Sequence, residues 1–297
     1  MANARALDKR RKSIRNIRKI TRTMELIATA RYKKAMDRAA AATAYTDQIT
    51  RIVSRLIAAG TSVDHPLLQP REKTSTARVL VLASNRGLCG GYNGAVLRTA
   101  MQRIEELKSS VPKVVVDASG KRGINGLKFR GVSPDKKHLQ FEDQPPYDEV
   151  ELIAMDYLQQ YLAGGVDRLD VVYTKFISTS RQVAIVETLL PLGSIGAEST
   201  SPSAGAELAS NSDFEFLPSA ESILEEIVPT SFKVKLFKCF LDAAVSEQVA
   251  RMIAMKGATE NAGDMIKQLS MTYNRARQSQ ITGEIMEIIG GVEALAK

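Results

Sequence analysis

The chain has 297 residues, 44% of them hydrophobic and 25% charged, the composition of a globular protein with one large domain or two. Its two cysteines, Cys89 and Cys239, fit neither a disulfide framework nor a zinc knuckle, and no apolar run reaches the roughly eighteen residues of a membrane-spanning helix. The net charge of +8 is unevenly placed: residues 1–38 carry thirteen Lys and Arg against Asp8, Glu25 and Asp37, and the remainder is slightly acidic. These features predict a soluble protein of a reducing compartment, without a signal peptide. Its basic segment calls for an acidic partner: nucleic acid, anionic lipid or an acidic protein surface.

Residues 2–59 lack glycine and proline, and a heptad frame runs through them. Leu7, Ile14, Ala28, Ala35, Ala42, Ile49 and Leu56 fill one core position. Ile17, Met24, Tyr45 and Ile52 fill the other, interrupted by Arg10, Arg31 and Arg38. The pattern predicts one helix of about 55 residues, roughly 80 Å long. Gly60 ends it, and residues 61–76 read as loop, with His65 solvated there.

The middle changes grammar. RVLVLA (Arg78–Ala83), KVVVD (Lys113–Asp117), Asp170–Ile177 and Gln182–Leu190 are short strand patterns, while Asn93–Leu107 and Asp148–Leu162 have helical spacing. Residues 119–144, rich in Gly, Lys and Pro, read as loop with room for one helical turn. This alternation predicts an α/β domain around a partly parallel sheet over residues 77–190. Residues 191–229, rich in Ser, Ala, Gly and Glu, read as a linker.

From about Thr230 to the end there is no proline, and apolar residues recur three or four apart. Leu241, Val245, Gln248, Met252 and Met255 form one run, and Ile266, Leu269, Tyr273 and Ala276 a second. After a phase shift come Ile281, Ile285, Ile288, Val292 and Leu295. That is a coiled-coil seam, and some sixty helical residues span roughly 90–100 Å. Two long seamed helices, residues 1–60 and 230–297, thus flank the α/β unit, and each can bury its seam against the other.

The sharpest local motif is SNRGLCGGYNG, Ser84–Gly94, between a strand and a helix. A dinucleotide-binding loop belongs there, with Asp117 placed to hold a ribose. The glycines Gly87, Gly90, Gly91 and Gly94 do not spell GxGxxG, however, and there is no GKS or GKT. A tight turn presented to a protein partner is the better reading. Cys89 lies near a helix N-terminus, but the two histidines, His65 and His138, are in loop-like stretches, so no general base serves it. Glu105, Glu106, Asp156, Asp167 and Asp170 read as solvated faces, and no metal-ligand cluster is apparent. A groove-reading DNA helix is a second reading of the basic N-terminus, but Ile14, Ile17, Met24 and Ile27 carry apolar side chains straight through the basic stretch.

Three stretches together resemble one family, the gamma subunit of the rotary (F-type) ATP synthase: Lys12–Ala35, Ser84–Gly94 and Asn274–Leu295. SEQVARMIAMKGATENA, Ser246–Ala262, resembles it as well. Val292 stands where the family usually has Ala, Gly290 where Ser is common, and Tyr32 replaces a usual Met. The cysteine-containing insert of the chloroplast members is absent, so thiol control is not expected. The resemblance implies an α/β fold in which a long antiparallel N- and C-terminal coiled coil carries an inserted Rossmann-like domain. It implies a central shaft, peripheral on the cytoplasmic face of the cell inner membrane. The partners would be three alpha and three beta subunits, the epsilon subunit and the c-ring, with peripheral contact to the membrane sector.

On that resemblance the chain is non-catalytic, holds no cofactor or metal and binds no nucleic acid; ATP chemistry takes place on the beta subunits. The partner-contact residues it implies are Arg22 and Met24 beside an acidic beta loop, and Arg277 and Gln278 at a beta catch loop. Thr282 and Glu284 lie in the same signature, Arg251 makes another polar contact, and Arg86 and Cys89 lie in the Gly-rich loop. Packing in the seam is the plainer role for Met24, and a solvated helix surface the plainer one for Arg277 and Gln278. Two other readings stand beside this one: a basic coiled-coil protein binding nucleic acid, marked by salt-dependent DNA affinity, and a nucleotide-dependent α/β enzyme using the Gly87–Gly94 loop.

Overall fold

A computed structural model of the chain describes residues 4–58, 66–69, 71, 74–142, 144–192 and 220–295. His65 and most of the expected linker lie outside the described residues. The chain divides into two compact units, Ala30–Ala250 and Met1–Thr29 with Arg251–Lys297. Two long helices, α1 (Ala4–Ala58) and α5 (Ala220–Leu295), contribute to both.

In the first unit, β1 (Thr76–Leu82), β2 (Lys113–Ser119), β3 (Lys137–His138), β4 (Arg168–Phe176) and β5 (Gln182–Leu190) form one sheet, ordered β3-β2-β1-β4-β5. β3, β2, β1 and β4 are parallel, and β5 pairs antiparallel with β4. The central strand β1 is apolar on both faces because both are covered. Ala77, Val79 and Val81 meet α2 (Tyr92–Ser110) and α3 (Lys121–Phe129), while Leu80 and Leu82 meet α4 (Tyr147–Leu162) and the stretch of α5 from Val228 to Ala243. Within the same unit α1 lies antiparallel to α5, with Ala35 and Ala39 against Leu241, Val245 and Val249, and Ile49 against Val234.

The structure departs from the sequence reading in two stretches, residues 119–144, which also hold β3, and residues 191–229. α3 is a helix of nine residues where loop is expected. Its glycines serve close packing: a Cβ on Gly123 would lie 2.7 Å from the Ala83 Cβ, and one on Gly126 2.3 Å from a Leu97 methyl. α5 begins at Ala220, inside the expected linker, and passes through Pro229. An interior proline costs a helix about 3 kcal/mol. The buried Val228 and Phe232, both packed on the sheet, offset it.

In the second unit α1 and α5 are again antiparallel. The Arg11 guanidinium stacks 4.7 Å from the Tyr273 ring centroid, and the hydroxyls of Thr21 and Thr259 are hydrogen-bonded at 2.9 Å. The seam of α5 is as expected through Met255, Ile266, Leu269, Tyr273 and Ala276, all buried or half-buried. On α1 one of the two expected core positions holds at every described side chain, whereas of the other only Met24 is half-buried, Ile52 and Leu56 lying outside the described side chains. Ala28 and Ala35 are buried in the first, but the second position is occupied by residues such as Arg11, Glu25, Tyr32, Ala39 and Thr46. Ile17 and Tyr45, expected inside, are 45% and 54% exposed. Of the third run of α5, Ile281, Ile285, Ile288 and Val292 are solvent-facing.

Candidate functional site

The Gly-rich loop is closed upon itself. The Ser84 amide donates to Asn93 Oδ1 at 3.0 Å, and the Ser84 hydroxyl donates to the Arg86 carbonyl at 2.6 Å. Asn93 Nδ2 donates to Ser84 Oγ at 2.7 Å and to Cys89 Sγ at 3.2 Å. The Ser84 and Asn93 side chains are therefore consumed within the loop. Cys89 is 2% exposed, so the loop turns its sulfur inward, away from the surface on which a partner would sit. What it presents is Arg86, 3.3 Å from Glu142, and Leu88, held at φ 65° with its side chain 58% exposed.

The neighbouring crevice is filled as well. Gly120 takes φ 90°, and a Cβ there would stand 2.1 Å from the Ala83 carbonyl oxygen, so the β2–α3 turn lies directly on the end of β1. Asp117 is fully buried: it accepts from Arg78 Nη1 at 2.7 Å, Tyr157 Oη at 2.8 Å and the Lys136 amide at 3.0 Å. Both carboxylate oxygens are thus committed, and no ribose finds an acceptor. Burial, with the Asp117 charge beside it, pushes the Tyr157 phenol well above its ordinary range and keeps it a donor.

Asp167 and Asp170, read from sequence as solvated, are buried instead. Asp167 accepts from the Ser75 and Thr76 amides and from Arg71, and Asp170 from Arg103, Arg168 and Thr188. They are joints of the fold. Among the described residues no group of three or more His, Cys, Asp and Glu is placed to hold a metal ion.

The exposed chemistry lies on the long helices. Lys12, Arg15, Arg18, Lys19 and Arg22 of α1 line a groove of about 1140 Å³ that Thr259 and Ile266 of α5 complete. Lys12 and Arg11 hold the Asp8 carboxyl below its ordinary range. Arg22 is exposed and paired with Glu25 at 2.8 Å, and Met24 is half-buried beside them. Arg277, Gln278, Thr282 and Glu284 are all exposed on α5, where Glu284 accepts from Gln280 at 3.0 Å. Arg251 is buried, 7% exposed. The structure adds residues that the heptad frame hid: Ile17, Ile20, Leu26 and Ile27 face outward on α1, as Ile281, Ile285, Ile288 and Val292 do on α5. The sequence does carry this signal, since α1 has more large apolar residues than one seam can accept.

A family profile described as ATP synthase matches residues 3–295. The chain is 79% identical to the ATP synthase gamma chain of Rhodopirellula baltica over 99% of both chains, and 38% identical to that of Leptospira biflexa over the whole of both. Its fold is that of a chain in the Euglena gracilis mitochondrial ATP synthase, with a TM-score of 0.67 at 20% identity, covering 98% of this chain and 94% of the other. A rotor chain of the same assembly matches at a TM-score of 0.63 and 19% identity, covering 94% of this chain and 98% of the other. By its length, its motifs and its fold together, this chain belongs to the ATP synthase gamma-chain family.

Proposed function

We propose that the chain is the central rotor shaft of a proton-translocating ATP synthase, coupling rotation of the c-ring to conformational cycling of the catalytic beta subunits. Membership of the gamma-chain family over nearly the full length carries this reading. The chain is then a non-catalytic subunit, and its partners are the alpha and beta subunits, epsilon and the c-ring. α1 and α5 form the shaft, and the α/β part around β1–β5 is inserted between them in the chain. A single shaft within a ring of three alternating pairs cannot meet three beta subunits alike, so rotation biases each site differently in turn. The cations of the α1 groove face acidic loops of that ring. Arg22, Met24, Arg86, Arg277, Gln278, Thr282 and Glu284 are its contact residues, and the buried Arg251 and Cys89 support that surface from within. Outward Ile17, Ile20, Leu26 and Ile27 add apolar contact area.

No described helix is long and apolar enough to cross a membrane, in keeping with peripheral attachment; the cytoplasmic side of a bacterial inner membrane is the expected place. Affinity purification of the chain from its own membranes, with native mass spectrometry, tests the assignment. One copy with three alpha and three beta subunits is the expected result. Recovery without those subunits would overturn it.

A further inference from the structure

α3, KRGINGLKF, has no acidic residue. Gly123, Ile124 and Leu127 form its buried side. At 3.6 residues per turn, Lys121, Arg122, Asn125, Lys128 and Phe129 share the opposite side, and all five are exposed. Arg130 follows, also exposed, its guanidinium donating to the Gly126 carbonyl at 2.9 Å. From Ala118 to Pro134 there are four cations and no carboxylate. None of the four is ion-paired among the described residues. In their midst the Phe129 ring is 91% exposed, more than any other large apolar side chain described.

We propose that this face of α3 docks on an anionic phospholipid surface. A helix whose cations share one face with an aromatic ring is built for the headgroup boundary, with the ring entering the acyl edge and the cations meeting phosphates. A protein that buried Phe129 would have to supply the whole pocket, because the ring stands 91% exposed on a convex helix. A bilayer receives a protruding ring without complementary shape, and a layer of phosphates matches cations that no fixed carboxylate orients. The contact is peripheral and reversible, of the strength that a few cations and one ring provide.

The chain contains no tryptophan, so Phe129→Trp in the full chain is a single-site reporter, and its exposure makes the substitution harmless to the fold. With vesicles of phosphatidylcholine and phosphatidylglycerol, its emission shifts to the blue and brominated acyl chains quench it; phosphatidylcholine alone does neither. Leu152→Trp, 67% exposed on α4, reports no shift. Lys128→Gln with Arg130→Gln lowers partitioning of the reporter site about 25-fold, at about fivefold per surface cation. Emission from Trp at 129 that stays unchanged, even where the basic α1 brings the chain down with the vesicles, overturns the proposal. A shift produced by RNA or by the complex of alpha and beta subunits, but not by vesicles, also overturns it and assigns the face to that partner.

Discussion

Asp117→Ala removes three interactions at once: the Arg78 pair at 2.7 Å, the Tyr157 hydroxyl at 2.8 Å and the Lys136 amide at 3.0 Å. The Arg78 side chain is only 9% exposed and would keep Asp135, at 3.7 Å and on the surface. Such an exposed pair is worth about 0–1 kcal/mol, whereas stranding one partner of a buried pair costs about 3–5 kcal/mol. The raised phenol of Tyr157 leaves no ionisation to relieve the loss. Urea unfolding followed by circular dichroism should therefore show a loss of about 3–5 kcal/mol. Asp117→Leu combined with Arg78→Met should restore most of it, since a well-packed apolar pair replaces the ions. Additive single effects, or a loss below about 1 kcal/mol for the alanine variant, would refute the view that this carboxylate is a joint of the fold. The crevice would then be open again to a ligand.

Asp242 offers a pH test: burial pushes it up to about 6, against the pull of Lys238 and Lys175 and with Glu187 adding to the rise. Its stability contribution, full at low pH, is lost as pH climbs from about 4 to 6, by up to about 3 kcal/mol. Asp242→Asn should flatten that slope and raise the melting temperature near neutral pH. Gly120→Ala places a Cβ 2.1 Å from the Ala83 carbonyl oxygen, while Gly131→Ala, at φ 80°, meets open space. Thermal melts should show about 1–2 kcal/mol for Gly131→Ala, the left-handed penalty alone, and clearly more for Gly120→Ala. Arg22→Glu and Arg277→Glu should leave folding within about 0.5 kcal/mol yet impair coupling of ATP hydrolysis to proton pumping in membrane vesicles. Normal coupling in both would refute the electrostatic account of the shaft.

The elements were largely legible in the sequence because their signals are local. Val79 and Val81 alternate with Leu80 and Leu82 in a strand buried on both faces, and the absence of Gly and Pro before Gly60 permits little but helix. α3 was hidden because Gly123 and Gly126 look like loop residues until the Ala83 and Leu97 side chains they admit are in view. The helix start at Ala220 was hidden by Pro229, whose cost is offset only by tertiary packing of Val228 and Phe232. The second core position of α1 is not legible from side-chain bulk, since Ala39 and Thr46 lie inside and Ile17 lies outside. At the site, motif resemblance named the exposed residues Arg22, Arg277 and Gln278. It could not tell that Cys89 points inward, since that depends on Ser84 and Asn93 closing the loop.

The hydrogen bond between Thr21 and Thr259 joins residues 238 positions apart. At a synthesis rate of about 5–20 residues per second, Thr21 leaves the ribosome roughly 10–50 s before its partner. α1 must wait through that interval with its seam bare, and the sheet must wait too, because Phe232, Leu236 and Phe240 of α5 cover one of its faces. The last-made helix is thus the one that closes both units. A ribosome stalled before α5 would leave a nascent chain for chaperones to hold, whereas one stalled a few turns from the end would release a chain whose sheet is already covered.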